Sequence, residues 1–216
     1  MRWTVVAANL PYLLGGLQGT VLLGLLVLAL GTLLGFLVGL ARLSRGVVYA
    51  AATAFVELFR DTPLIMQIFF LFFGLPAVGI RLSAFLAASV AMTFFAAANT
   101  AEIVRGAIQS LPRGQWEAAR SLGLNRSQTL RWVILPQALR RSLPPLMGLF
   151  TTLLKDTSLA AIVNVFELTT AGRRVVERTL ASFEIWLTVA ALYFLVCYPL
   201  SLVTQRLERR LVAEVP

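Results

Sequence analysis

The sequence predicts an all-α polytopic membrane protein with five transmembrane helices, and three observations carry that prediction. Its 216 residues are 58% hydrophobic and 13% charged, against roughly half apolar and a quarter charged in soluble domains. Uncharged stretches recur that are long enough to cross about 30 Å of hydrocarbon, for which ~20 residues suffice. The formal charge of +9 sits between those stretches. Such a basic excess fits a membrane face, and no nucleic-acid partner is expected.

The spans follow in order, as one permeating domain over 1–216. The first covers about 10–40, where no charge interrupts the chain. It is too long for a signal-peptide core and lacks a cleavage site followed by a polar chain, so it reads as a retained, tilted span. Its glycines Gly15, Gly16, Gly19, Gly24, Gly31, Gly35 and Gly39 predict close helix packing. The mixed residues Arg45 to Asp61 are expected along the membrane interface. A second span covers 62–80, with Thr62 as N-cap and Pro63 at the first helical position. The third covers 83–108, where Glu102 and Arg105 are spaced to pair on one face. The fourth covers 142–162 and the fifth 185–205.

Orientation follows from lysine and arginine placement. Arg42, Arg45, Arg60, Arg105, Arg113, Arg120, Arg126, Arg131, Arg140, Arg141, Arg206, Arg209 and Arg210 fall on one side; Arg2, Arg81, Lys155, Arg173, Arg174 and Arg178 fall on the other. Thirteen against six places the N-terminus outside and the C-terminus in the cytoplasm.

Composition also excludes chemistry. There is no histidine, so Ser-His and Cys-His nucleophile pairs and His-ligated metal sites cannot be built. Cys197 is the single cysteine and reads as a small core hydrophobe. Lys155, the single lysine, follows no Gly-rich loop, so the phosphate-cradling pattern is absent. No catalytic residue, metal or cofactor is expected in this chain, and any ATP must be bound by another subunit.

The longest predicted cytoplasmic loop, about 110–136, contains "QWEAARSLGLNRSQ". On a helix, Trp116, Ala119, Leu122 and Gly123 fall on one face and Arg113, Glu117, Arg120 and Ser121 towards another. Gly123 is placed to end that helix in a left-handed turn, and Asn125 with Gln128 forms a capping box that starts the next. A helix this short is marginal alone in water, so it must pack on something. Periodicity by itself favours packing on its own protein or on headgroups; the exposed charges allow docking of a soluble partner.

The stretch "EAARSLGLNRSQTLRWVILP" resembles the EAA loop of bacterial ABC importer permeases: E-A-A, three residues, Gly, nine residues, Ile, any residue, Leu-Pro. It maps onto Glu117, Ala118, Ala119, Gly123, Val133, Leu135 and Pro136, with Val133 standing in for Ile. "ELFRDTPLIMQIFF", "NTAEIVRGAIQSLPRGQWEAARSLG" and "KDTSL" resemble the polar amino acid branch, which includes histidine, glutamine, glutamate and arginine permeases. The resemblance covers nearly the whole chain. It implies the type I ABC importer permease fold in the bacterial cytoplasmic membrane. It also implies a second permease as homodimer or paralogue, an ATP-binding subunit dimer holding ATP and Mg, and an extracytoplasmic amino-acid-binding protein. Its ATPase-coupling residues would be Glu117, Ala118, Ala119 and Gly123, with Arg113 and Arg120 beside them.

Polar groups at membrane depth are the candidates for the substrate pathway: Gln67, Asn99, Thr152 and Asp156, with Phe95 and Leu149 alongside. Lys155 and Asp156 are placed near the outer end of the fourth span, as a gate or a contact for the binding protein. The third span before Glu102 and the fourth between Pro144 and Leu154 carry no carboxylate, which leans away from arginine or lysine as substrate. An ion channel would explain the spans but not the spaced loop; a structural membrane subunit without ATP coupling is the other alternative.

Overall fold

The computed structural model describes residues 2–213, with side chains described through Arg209; Arg210, counted above with the cytoplasmic set, has its side chain outside the described residues. The elements are α1 (Trp3–Ala41), α2 (Val47–Asp61), α3 (Leu64–Phe69), α4 (Ala84–Gln109), α5 (Arg113–Ser121), α6 (Arg126–Gln128), α7 (Leu135–Asp156), α8 (Leu168–Thr179) and α9 (Ser182–Ala213). No strand occurs among the described residues. Four apolar helical stretches are long enough to cross a bilayer: Trp3–Ala41, Ala84–Gln109, Arg126–Val163 and Ser182–Arg209. A fifth crossing needs the pair Val47–Asp61 and Leu64–Val78, which meet at 103°.

Helix α1 is the spine. Its 39 residues reach about 58 Å at 1.5 Å per residue, and its glycines let other helices lie against its backbone. A Cβ on Gly35 would fall 2.5 Å from both Ala97 O and Thr100 Cβ, and one on Gly24 would fall 2.5 Å from Leu154 Cδ2. The first contact seats α4, the second α7. Leu23, Val27, Ile68, Met92 and Leu153 fill the central core, and a second cluster of Leu13, Leu168, Val175 and Ile185 joins α1 to α8 and α9.

The turn between α2 and α3 departs from the sequence reading. Thr62 is not an N-cap: it precedes proline, which forces it extended (φ −103°, ψ 137°) and ends α2. Its hydroxyl donates back to Leu58 O at 2.7 Å, and Pro63 takes the cap position of α3. After Phe69 the chain widens through Phe70–Gly74 and tightens over Leu75–Val78. Phe55 and Phe59 of α2 pack on Phe94 of α4 with centroids 5.8 and 5.1 Å apart.

The charges sort to the two ends of the bundle. At the C-terminal end of α1, Arg42 lies 2.6 Å from Glu102, Arg60 lies 3.5 Å from it, and Arg105 pairs with it along α4. At the other end, the Arg2 backbone N–H donates to Glu184 at 2.6 Å, and Arg178 stacks over Tyr12 at 5.0 Å. Since Arg2 lies against the first turn of α9, the 32 residues of that helix carry the chain away from its start.

Lys155 and Asp156 sit deeper than the sequence suggests. Leu154 meets Gly24, halfway along α1. The chain does not leave the bundle there: it continues through Thr157–Val163, reverses at Asn164 (φ 62°) and enters α8, which covers the first half of α1.

Candidate functional site: the loop helix and the polar groove

The segment from Leu111 to Pro136 is built by local chemistry. Pro112 occupies the N-cap position of α5, and after nine helical residues Leu122 is the C-cap. Gly123 adopts φ +79°, a left-handed conformation costly for residues with a Cβ. Its N–H donates to Arg120 O at 2.9 Å and that of Leu124 to Ala119 O at 3.1 Å, the paired bonds of a Schellman motif. Two residues on, Gln128 N–H donates to Asn125 Oδ1 and Asn125 N–H to Gln128 Oε1, both at 2.9 Å. Both turns are those the sequence predicts.

The faces of α5 differ from the sequence reading at Leu122 and Gly123, which are both exposed and lie beyond the helix end. Ala119 is buried and Trp116 packs with Val104, Ile108 and Ile134, but Leu122 is 81% exposed. The helix ends at Ser121, so Leu122 already leads into the left-handed turn and follows the turn rather than the helical face. Arg113, Glu117, Ala118, Arg120, Ser121 and Leu122 together form an exposed surface, with one large apolar side chain among charges. Behind it, Gln137 donates to Gln115 Oε1 at 3.0 Å and Arg141 to Ser110 O at 2.9 Å. The first bond fastens the loop helix to α7, and the second fastens α7 to the end of α4.

The pathway candidates do not converge on one site within the chain. Gln67 is buried, and its amide donates to Phe59 O at 2.9 Å, Thr62 O at 3.0 Å and Thr62 Oγ1 at 3.0 Å, so it pins the bend between α2 and α3. Asn99 donates to Phe95 O at 2.8 Å on its own helix. Phe95 and Leu149 pack against the central core. Thr152 is exposed, bonds Gly148 O at 3.2 Å, and lines an open polar groove of about 250 Å³ with Thr151, Lys155, Ser201, Thr204 and Gln205. Asp156 is half-buried next to it in sequence. The α9 contribution to that groove was not singled out, because hydroxyls and amides near a span end carry no pattern of their own. Glu167 is fully buried and caps α8 by accepting from Thr169 N–H at 2.7 Å and Thr170 N–H at 2.6 Å, and Tyr193 donates to it at 3.0 Å.

Among the described residues no three His, Cys, Asp or Glu side chains gather as a metal site. Helix α5 is thus exposed, closed at its C-terminal end by the left-handed turn at Gly123 and bonded to α7 through Gln115. The profile of the "Binding-protein-dependent transport system inner membrane component" family matches residues 31–213. The chain belongs to that family. It is similar to the glutamine transport system permease protein GlnP of Escherichia coli, 39% identical over 212 residues covering 97% of each chain. It is also similar to the L-cystine transport system permease protein TcyB of Bacillus subtilis, 38% identical over 212 residues, 97% of this chain and 91% of that one. A solved structure described as an amino acid ABC transporter with histidines superposes with a TM-score of 0.92 at 31% identity, covering 97% and 99% of the two chains. The family places this chain as a multi-pass inner-membrane subunit of a transport system that works with a binding protein.

Proposed function

We propose that this chain is the permease of an ATP-driven importer for polar amino acids in the bacterial cytoplasmic membrane, and that it receives the work of ATP hydrolysis through α5. The observation that carries the reading is the exposed face of Glu117, Ala118, Ser121 and Leu122 on a helix capped at Gly123 and bonded to α7 through Gln115. A rigid, shallowly apolar, charged protrusion suits a groove on a soluble partner, and only a rigid one passes a displacement to the spans without absorbing it. The partner is a dimer of ATP-binding subunits, which hold ATP and Mg. A second permease, a copy or a paralogue, completes the pathway, and an amino-acid-binding protein delivers substrate from outside.

In this reading the Glu102 end of the bundle faces the cytoplasm, in keeping with the arginine count. The groove of Thr151, Thr152, Lys155, Ser201, Thr204 and Gln205 lies level with the middle of α1 and faces outward from the single chain. It lines the pathway once a second permease closes it, with Asp156 at its edge. The scarcity of carboxylates there supports a neutral or acidic amino acid over a cationic one. Reconstitution into vesicles with the ATP-binding subunit and the binding protein tests the reading. Uptake of labelled glutamine or a similar amino acid must require ATP, the binding protein and this chain together. Ion conductance by the chain without ATP overturns the reading in favour of a channel.

A further inference from the structure

A cleft of about 520 Å³ opens between α5 and the capped turn that follows it, lined by Trp116, Arg120, Leu124, Asn125, Arg126 and Thr129. Arg120 lies in the last turn of α5 and Arg126 begins α6. The two guanidinium-bearing residues come to one cleft because the left-handed turn at Gly123 reverses the chain and the Asn125–Gln128 box fixes where it restarts. Among the described residues neither Arg120 nor Arg126 has a carboxylate within ion-pair distance. Arg120 makes one long bond, Nε to Trp116 O at 3.4 Å. At the cleft wall the Thr129 hydroxyl is buried with no hydrogen-bond partner. Asn125, the other polar lining residue, spends its amide oxygen on the cap.

We propose that this cleft accepts an acidic side chain of the ATP-binding subunit, an inference that rests on the docking reading above and adds the chemistry of the contact. A carboxylate is the group that satisfies the two guanidiniums that line one cleft without an ion-pair partner, since charge-assisted bonds to Arg form best in bidentate geometry. The mouth of the cleft is continuous with the exposed α5 surface, so a partner that covers Glu117 and Leu122 also covers it. The loop then presents a negative charge at Glu117 and a positive cleft one turn away. A partner carrying the mirror pattern, basic opposite Glu117 and acidic opposite the cleft, can seat in one orientation only, because the reversed pose opposes like charges.

The test uses the full permease in lipid nanodiscs and titrates the ATP-binding subunit at low and high salt. Arg126→Gln, at an exposed position, is expected to leave thermal melting unchanged and to weaken association about tenfold at low salt, equivalent to one well-formed charge pair. That gap closes as salt screens the contact. Arg120→Gln acts in the same direction. Arg126→Glu is expected to regain affinity when the facing acidic residue of the ATP-binding subunit is changed to arginine. Equal affinity of wild type and Arg126→Gln at every salt concentration overturns the proposal, as does weakening with the same salt dependence as wild type. Inorganic phosphate that displaces the subunit from wild type but not from Arg126→Gln supports an anion contact. If the wild-type permease does not bind the subunit, the docking reading itself falls.

Discussion

Gln137, in the first turn of α7, donates to Gln115 of α5 across 3.0 Å, while the same amide holds Val133 O at 2.9 Å. The loop helix is thereby tied to the helix that returns the chain to the bundle. Arg141 ties the same region to the end of α4 through Ser110 O. A push on α5 therefore reaches two spans at once. Through Glu102, which binds Arg42, Arg60 and Arg105, it also reaches α1 and α2.

Gly123→Ala is expected to cost about 1 kcal/mol at the end of α5, because alanine must adopt φ +79°. Nothing lies within 4 Å of the added methyl, so the cost is conformational and not steric. Thermal melting of the permease should fall slightly, and association with the ATP-binding subunit more, since the cap sets the shape of the docking surface.

Gly35→Ala is expected to destabilise by about 1–3 kcal/mol through overpacking against Ala97 and Thr100 of α4. Gly106→Ala, in the same α4 but with open space around it, is expected to stabilise by about 0.5–1 kcal/mol. Melting curves of the two variants in one detergent check the opposite signs.

Glu102→Gln removes the carboxylate that pairs with Arg42, Arg60 and Arg105, and the Arg42 side chain is just 10% exposed. The expected loss is about 2 kcal/mol, between the values for exposed and buried pairs. Arg60→Gln, at 3.5 Å and 40% exposed, is expected to cost under about 1 kcal/mol. Denaturation in mixed micelles measures both, and equal losses contradict the geometry.

What was legible in the sequence was what local chemistry decides. Uncharged runs mark the spans, Asn125 caps a helix through its own side chain, and Gly123 takes the left-handed turn that only a glycine takes cheaply. What was not legible depends on where distant segments meet. Thr62 looked like a cap for the helix after it, but the proline one residue on turns it into the end of the helix before. Gln67 looked like a pathway group because it is polar in an apolar run; the bend between α2 and α3 brings Phe59 O and Thr62 O within its reach. The level of Lys155 depends on Leu154 meeting Gly24, more than a hundred residues away in sequence.

The central claim is that α5 carries the work of the ATP-binding subunit into the spans, and Glu117→Lys tests it most directly. Glu117 is exposed, and among the described residues its side chain makes no ion pair. The measurement is ATP-dependent uptake in vesicles containing the variant permease, the ATP-binding subunit and the binding protein, alongside thermal melting of the permease. Unchanged melting with uptake reduced to the level seen without ATP is the predicted result. Uptake at the wild-type rate contradicts the account.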